Sequence, residues 1–535
     1  MFPLVDTVAM PPATVESGIV EPRWLRSDRA AVLCALTAIV GTGAAIRFAS
    51  LGLQSYHHDE VITAMRVLPG SFGEMLHAVR VSESNPPLYY VLAWLWSQLF
   101  GTAEFGLRSL SALFGAATIP VGYLIGRELA HRRTGLILAA IVALNPMLIW
   151  YSQEARSYAL LVFFAALSML FFVRALRRRD GRDLALWAMS SALALCSHYF
   201  AAFAIAIEAV WLLVAWRGRR REVLPAIGAV AATGLALLPL LIAQVNPNHI
   251  GWIEDSLLSL RFWETGVSFL AGETGHVIAE PARDRYALVP LVAVALGLAI
   301  VLVRGSGRER RGAALGLVLG LGVAALAGAA ALAGKDYVVE RNLLPALIPL
   351  AAVAALGFGA ANARWLGLGL AAALCAYWLA FAIYVTQTPN LQRPDFRALT
   401  ADLGRARTRR AIVSWRLAAD PVLWYLRDGA VRMYGGVERL GEIDVVGKPL
   451  AARRTVHLPP SFRPAQRLQL DRLTLTRYVS RRPLEVKFHV LRALPTGFGV
   501  AGVVLDGPRT RPPRVANAPV GRRARIGIGQ SVALG

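Results

Sequence analysis

PPLYYVLAWLWSQLF, residues Pro86–Phe100, decides how this chain is threaded. The run is apolar but only about three-quarters of the length a helix needs to cross a bilayer, and counting it as a crossing would move every later loop to the opposite side. Arginine positions settle the choice. If the run is a helix lying in the outer interface, with Tyr89, Tyr90, Trp94 and Trp96 at headgroup depth, about eleven spanning runs remain: roughly 30–51, 107–126, 134–152, 157–174, 184–198, 200–216, 223–243, 287–303, 312–333, 343–361 and 365–385. With the N-terminus in the cytoplasm, the short arginine clusters around Arg26, Arg132, Arg178, Arg219, Arg310 and Arg364 then all fall on the cytoplasmic side.

Composition agrees with a multi-pass α-helical membrane protein. Of 535 residues, 56 % are hydrophobic, more than a soluble domain of this length hides in a core. A net charge of +23 would suggest nucleic acid in a soluble chain, but here much of the arginine sits between apolar runs and reads as topology. Cys34, Cys196 and Cys375 lie inside apolar runs, which argues against a disulfide framework and against redox chemistry. The first apolar run has no small-residue cleavage site after it and reads as an uncleaved anchor.

This threading gives a cytoplasmic N-terminus (1–29), a transmembrane domain (30–386) with large outer loops at 52–106 and 244–286, and an extracytoplasmic region after it. Residues 387–506 alternate helix-like and strand-like patterns and suggest a small α/β domain. From 507 to 535, proline, glycine and arginine without acids suggest a disordered basic tail.

Acids and unusual polar groups gather in the outer turns. They are His57, His58, Asp59 and Glu60 after the first span, Glu83 and Asn85 before the interfacial helix, Glu154 and Arg156 in WYSQEARSY, His198 and Tyr199, and Lys335, Asp336, Tyr337, Glu340 and Arg341 in GKDYVVERN. A transporter more often places such groups at the midplane, where Glu208 is the one clear acid. Charges collected at one membrane surface suit an enzyme whose substrate has a lipid tail and a polar head.

An Asp-Glu pair after the first span, then NPPLYY, then Arg108 in FGLRSLSALFGA, then NPMLIWYSQEARSY, resembles the membrane glycosyltransferases of the GT-C fold. Within that fold the similarity is to the clan of protein O-mannosyltransferases and lipid A aminoarabinose transferases, glycosyltransferase family 39-like. It covers roughly residues 30–350 and is strongest from Tyr56 to Tyr158. ERNLLPALIPL resembles the family's late arginine segment, although the family usually has an aromatic where this chain has Asn342.

The resemblance implies a sugar donor on a polyprenyl phosphate, a glycan, lipid or protein acceptor at the outer face of the cytoplasmic membrane, and inversion at the anomeric carbon. Such a reaction needs a carboxylate near the acceptor and positive charge near the leaving phosphate. Asp59 is the expected base with Glu60 beside it, and Arg156, Lys335 and Arg341 are the expected phosphate ligands. Glu154, His58, Tyr158 and Tyr337 are expected to support substrate or metal. A divalent ion, Mg or Mn, would use Asp59 and Glu154.

Plainer readings stand beside these. Asp59 could merely cap the helix that VITAMRVL begins, Glu154 and Arg156 could pair across a tight turn, and His198 could be a polar hairpin tip. Glu208 is expected to be hydrogen-bonded within the bundle. A lipid flippase or polytopic transporter is the alternative class, and a non-catalytic assembly protein a third.

Overall fold

The computed structural model describes residues 29–245, 253, 256–273, 282–426, 429–447, 456–470, 472–497 and 500–508. The N-terminal stretch before Arg29, the basic tail beyond Pro508 and parts of the loop 244–286 lie outside the described residues. Two compact units divide the chain. The first runs through Ala401 and takes in residues 420–425 and 470–473; the second holds 402–419, 426–469 and 474 onward.

Among the described residues of the first unit, eight helices are long and apolar enough to cross a membrane, or nine if one bent pair is a single span. Every one of the eleven apolar runs is helical. The shortfall lies in Gly181–Ser197 and Ala201–Ala215, with 17 and 15 residues. At 1.5 Å per residue they rise only about 25 and 22 Å, against a hydrocarbon core of about 30 Å. Glu208, on the second of them, accepts from Ser168 Oγ and Trp187 Nε1 at 2.5 and 2.8 Å, as expected for a bundle-satisfied acid.

The bent pair is Arg132–Leu144 and Pro146–Ser152, which meet at 57°. Pro146 has no N–H, so the Val142 carbonyl loses its helical donor. Arg47 of the first span, wholly buried, replaces it: Nη2 donates to Val142 O at 2.9 Å and Nη1 to Ala143 O at 2.7 Å. A cation at a helix C-terminus also meets the negative end of its dipole. Asn145 Oδ1 then accepts from Leu148 N at 3.1 Å and opens the second helix. The bend aims Tyr151–Arg156 at the loop after the first span.

That loop is itself folded, with helices His58–Ile62, Phe72–Ser82 and Leu88–Phe100 around a core of Tyr56, Val61, Val67, Met75 and Leu107. The Leu88–Phe100 helix forms where the short apolar run predicts it. Its tyrosines correct the headgroup expectation: Tyr89 and Tyr90 are buried in the loop core, and Tyr90 donates to Glu83 Oε2 at 2.6 Å. Leu95, Leu99 and Phe100 take the exposed face instead, with Trp94 and Trp96 half-buried between the two.

The second unit is built on a mixed sheet of six strands: β1 (Arg410–Trp415), β2 (Val431–Met433), β3 (Val437–Gly447), β4 (Arg463–Leu470), β5 (Leu473–Lys487) and β6 (Ala501–Asp506), in the order β2-β6-β1-β3-β5-β4. β1 pairs with β3 in parallel, while β1–β6, β2–β6 and β3–β5 are antiparallel, consistent with the α/β pattern of the sequence. Arg410, buried on β1, is ion-paired with Asp506 at 2.6 Å, so its charge is compensated.

Candidate active site

The helix that carries Asp59 begins at His58, and its N-cap is His57, not Asp59. Asp59 is half-buried, and its carboxylate accepts no hydrogen bond from any described residue. Burial alone would raise this carboxyl, but the positive fields of Arg156 and Arg341 prevail and hold it well below the usual carboxylate range. An ionised, uncommitted carboxylate beside two guanidiniums is the feature the sequence could only suggest.

Glu60, one residue on, is fully committed. Arg108 Nε and Nη2 meet its two oxygens at 2.7 Å each, Ala155 N donates at 2.9 Å, His57 N at 3.0 Å and Arg393 Nη1 at 3.2 Å. Despite burial these bonds hold its pKa down at about 2. Glu60 thus ties the first loop to the 104–129 helix and to the turn at 153–157.

Arg156 sits on that turn, buried over the Tyr90 ring. Its Nη1 donates to Glu83 Oε2 at 2.8 Å and to Thr63 Oγ1 at 3.2 Å. Among the described residues its Nε is buried without a hydrogen-bond partner, and so is Glu83 Oε1. A buried guanidinium N–H without an acceptor costs about 1–3 kcal/mol or more, which an anion placed there would recover. Arg341, half-buried on the turn Glu340–Ala346, acts electrostatically on the same Asp59.

Rings line the other side. Tyr151 packs on Tyr158 at 4.7 Å, Tyr158 on His198 at 5.7 Å, His198 on Phe200 at 5.4 Å and Phe200 on Tyr337 at 5.6 Å. His198 is buried, not a solvent-facing hairpin tip. Burial and the charges of Arg156 and Arg341 lower its pKa to about 3, so the imidazole is neutral. Nδ1 lies 3.3 Å from Phe200 N as the acceptor, which assigns the proton to Nε2.

The structure therefore gathers Asp59, Glu60, Glu154, Arg156, Tyr158 and Arg341, with Tyr337 at the end of the ladder. His58 turns toward Asp420 (3.1 Å), a residue of the first unit. Lys335 is exposed, and no described hydrogen bond or ion pair of its side chain joins it to the site. Sequence reasoning missed Arg393 and the setting of His198; Glu83 was noted without its partner. Among the described residues no three His, Cys, Asp or Glu side chains gather as a metal set, and Glu154 Oε2 is taken by Arg393 at 2.5 Å.

Residues 84–242 match the family model described as dolichyl-phosphate-mannose-protein mannosyltransferase. No curated protein sequence matches the chain. Similar solved structures include the protein O-mannosyltransferase Pmt1–Pmt2 complex of S. cerevisiae bound to the sugar donor, with 17 % identity over 45 % of this chain and 34 % of that chain, TM-score 0.32. The oligosaccharyltransferase AglB of Archaeoglobus fulgidus gives 12 % identity, 69 % and 57 % coverage, TM-score 0.36. ArnT of Cupriavidus metallidurans in the apo state gives 12 % identity, 84 % and 98 % coverage, TM-score 0.36. The chain spans about a third of the first of these structures. The matched segment contains NPPLYY, Arg108 and NPMLIWYSQEARSY, and it bears out the resemblance to the membrane glycosyltransferases.

Proposed function

We propose that the protein transfers a sugar from a polyprenyl-phosphate donor to a hydroxyl-bearing acceptor at the outer face of the cytoplasmic membrane, with inversion at the anomeric carbon. The observation that carries this reading is the pairing of opposite, unspent groups: a free carboxylate on Asp59 beside the buried, unpartnered Nε of Arg156. The matched family's description names a mannose carried on dolichyl phosphate, which is donor chemistry of this class.

In the proposed reaction the donor phosphate lies against Arg156 and Arg341. The acceptor hydroxyl oxygen attacks the anomeric carbon as the bond to the phosphate oxygen breaks, and the leaving phosphate keeps the electron pair. Asp59 takes the hydroxyl proton. Beside Arg156 and Arg341 alone it is a weak base, because the two cations hold its pKa down. A bound phosphate offsets those cations, raises the carboxyl toward its ordinary value and so matches its basicity to the step. The neutral His198 imidazole supplies an N–H donor on the ladder side without adding charge.

Asp59→Asn tests the reading. Transfer of labelled mannose from polyprenyl-phosphate mannose to membranes of the native host should fall by about 100-fold or more, the range of one general base. The variant should still fold and insert in the membrane, its melting lowered only by loss of the charge facing Arg156 and Arg341, since no hydrogen bond to the side chain is lost. Near wild-type transfer would remove Asp59 from the mechanism. The transporter reading has less support, because Glu208 is spent within the bundle and the unspent charges lie on the short first-loop helix and in the 153–157 turn.

A further inference from the structure

The chain that follows the last membrane helix, Arg364–Gln387, comes back to the candidate site. Residues 392–397 are bound to the first loop through backbone and side chains. Arg393 N donates to Gln54 Oε1 at 3.2 Å, Ser55 Oγ donates to Pro394 O at 3.0 Å, and Phe396 N donates to Ser55 Oγ at 2.9 Å. Arg397 adds an ion pair to Glu104 at 2.7 Å. On this fixed backbone the Arg393 guanidinium lies 4.5 Å from the centre of the Trp150 ring. It gives Nη1 to Glu60 Oε2 at 3.2 Å and Nη2 to Glu154 Oε2 at 2.5 Å.

The two carboxylates do not need Arg393 equally. Glu60 already has both oxygens met by Arg108. For Glu154, Arg393 is the one cation hydrogen-bonded to it among the described residues, and its other oxygen accepts no hydrogen bond there. A buried carboxylate with one oxygen clamped and one free is suited to binding a hydroxyl.

We infer that Arg393 is a positioning residue for transfer: it clamps one oxygen of Glu154 and fixes the carboxylate in one orientation, so that the free oxygen accepts a hydroxyl of the sugar or the acceptor. What is transferred rests on the function proposed above; the pairing of Arg393 with Glu154 does not. By this inference the post-membrane segment completes a site otherwise built from the first loop and the 153–157 turn.

Glu154 is faced by Asp59 and Glu60 from the first loop, Arg156 on its own turn, Tyr89 from the Leu88–Phe100 helix, Tyr151 and Tyr158 on the flanking helices, and Arg393. Burial is the largest influence and raises its pKa, with the two neighbouring acids adding to the rise; Arg393 is the largest opposing charge. Removing that charge raises the pKa further, so more of Glu154 is protonated at a given acidic pH.

The test is the pH profile of transfer at sub-saturating polyprenyl-phosphate mannose, which reports kcat/KM and hence groups of the free enzyme. In Arg393→Gln the acid limb should move up by about one pH unit or more, a tenfold loss per unit at a fixed acidic pH. Arg393→Lys, which keeps the charge and can be measured if the glutamine variant fails to fold, should leave the limb near its wild-type position. Glu154→Gln should abolish the limb. An unshifted limb in Arg393→Gln, or an unchanged one in Glu154→Gln, overturns the inference even if overall rates fall. Absence of transfer by the wild-type protein would instead sink the proposed function. In that case melting decides the pairing: the Arg393→Gln/Glu154→Gln double variant should melt above Arg393→Gln, and equal or lower melting refutes it.

Discussion

At the scale of single residues, Asp59 and Glu60 are neighbours with opposite duties. Asp59 has a free carboxylate, whereas Glu60 meets Arg108, Arg393, Ala155 N and His57 N. Glu60→Gln should therefore act on folding first. It leaves the buried Arg108 guanidinium without its carboxylate, and removing one partner of a buried pair costs about 3–5 kcal/mol. Thermal melting in detergent should fall further for Glu60→Gln than for Asp59→Asn, which loses a charge facing Arg156 and Arg341 but no hydrogen bond; equal melting of the two would contradict the assignment. The Asp-Glu pair itself was legible in the sequence, because its type and place after a span are local facts. Arg393 was not. It lies 333 positions from Glu60, and nothing in LQRPDFRAL says which carboxylate an arginine will meet. The same holds for His198, whose burial depends on the tyrosine ladder that folds around it.

Among the elements, the break at Asn145-Pro146 matters most, since it turns one apolar run into a bent pair and delivers Tyr151–Arg156 to the site. The sequence marked the run as a single span, 134–152, because hydropathy ignores which carbonyls lose donors. Arg47 is the physical reason the break is tolerated: four acceptors, Val142 O, Ala143 O, Gly43 O and Ser152 Oγ, share its guanidinium. Arg47→Met keeps the apolar stem but orphans the two carbonyls at the break, at about 1–3 kcal/mol for each buried group left unpaired. A melting temperature lowered by several degrees, with transfer reduced through displacement of Arg156, is the expected outcome; wild-type melting would mean that water or another donor replaces the arginine. The Leu88–Phe100 helix teaches the converse. Its short apolar run was read correctly as a separate helix, but Tyr89 and Tyr90 were placed at headgroup depth, since a ring with a polar tip suits an interface and a hydrogen-bonded core equally.

For the whole molecule, the threading can be argued from contacts without any count of spans. One set of turns meets through Arg156–Glu83, Tyr158–His198 and Phe200–Tyr337. The other set meets through Arg177–Glu128, His131–Glu309, Arg219–Arg179 O and Arg133–Arg364 O. Each set contains the turns that alternate threading assigns to one side, and the hairpin 181–215 belongs to both, with His198 at one end and Ala215 O bonded to Arg179 at the other. So the two short helices connect the two sets of turns, and a bilayer bounded by those turns would have to thin around them or give way to protein. Parity adds a check. Dropping the hairpin removes two crossings and leaves every other turn on its side, whereas dropping the bent pair removes one and reverses all that follows. In a variant with Cys34, Cys196 and Cys375 replaced, single cysteines at Gly73, Gly181, Gly218, Gly307 and Gly435, where an added Cβ meets open space, read this directly. A membrane-impermeant maleimide should label positions 73 and 435 in intact cells and positions 181, 218 and 307 only after permeabilisation. Labelling of 181 together with 73 would mean that the bent pair does not cross. Labelling of 181, 218 and 307 in intact cells with 73 protected would turn the molecule over and place Asp59 on the cytoplasmic face, where the proposed acceptor is not found.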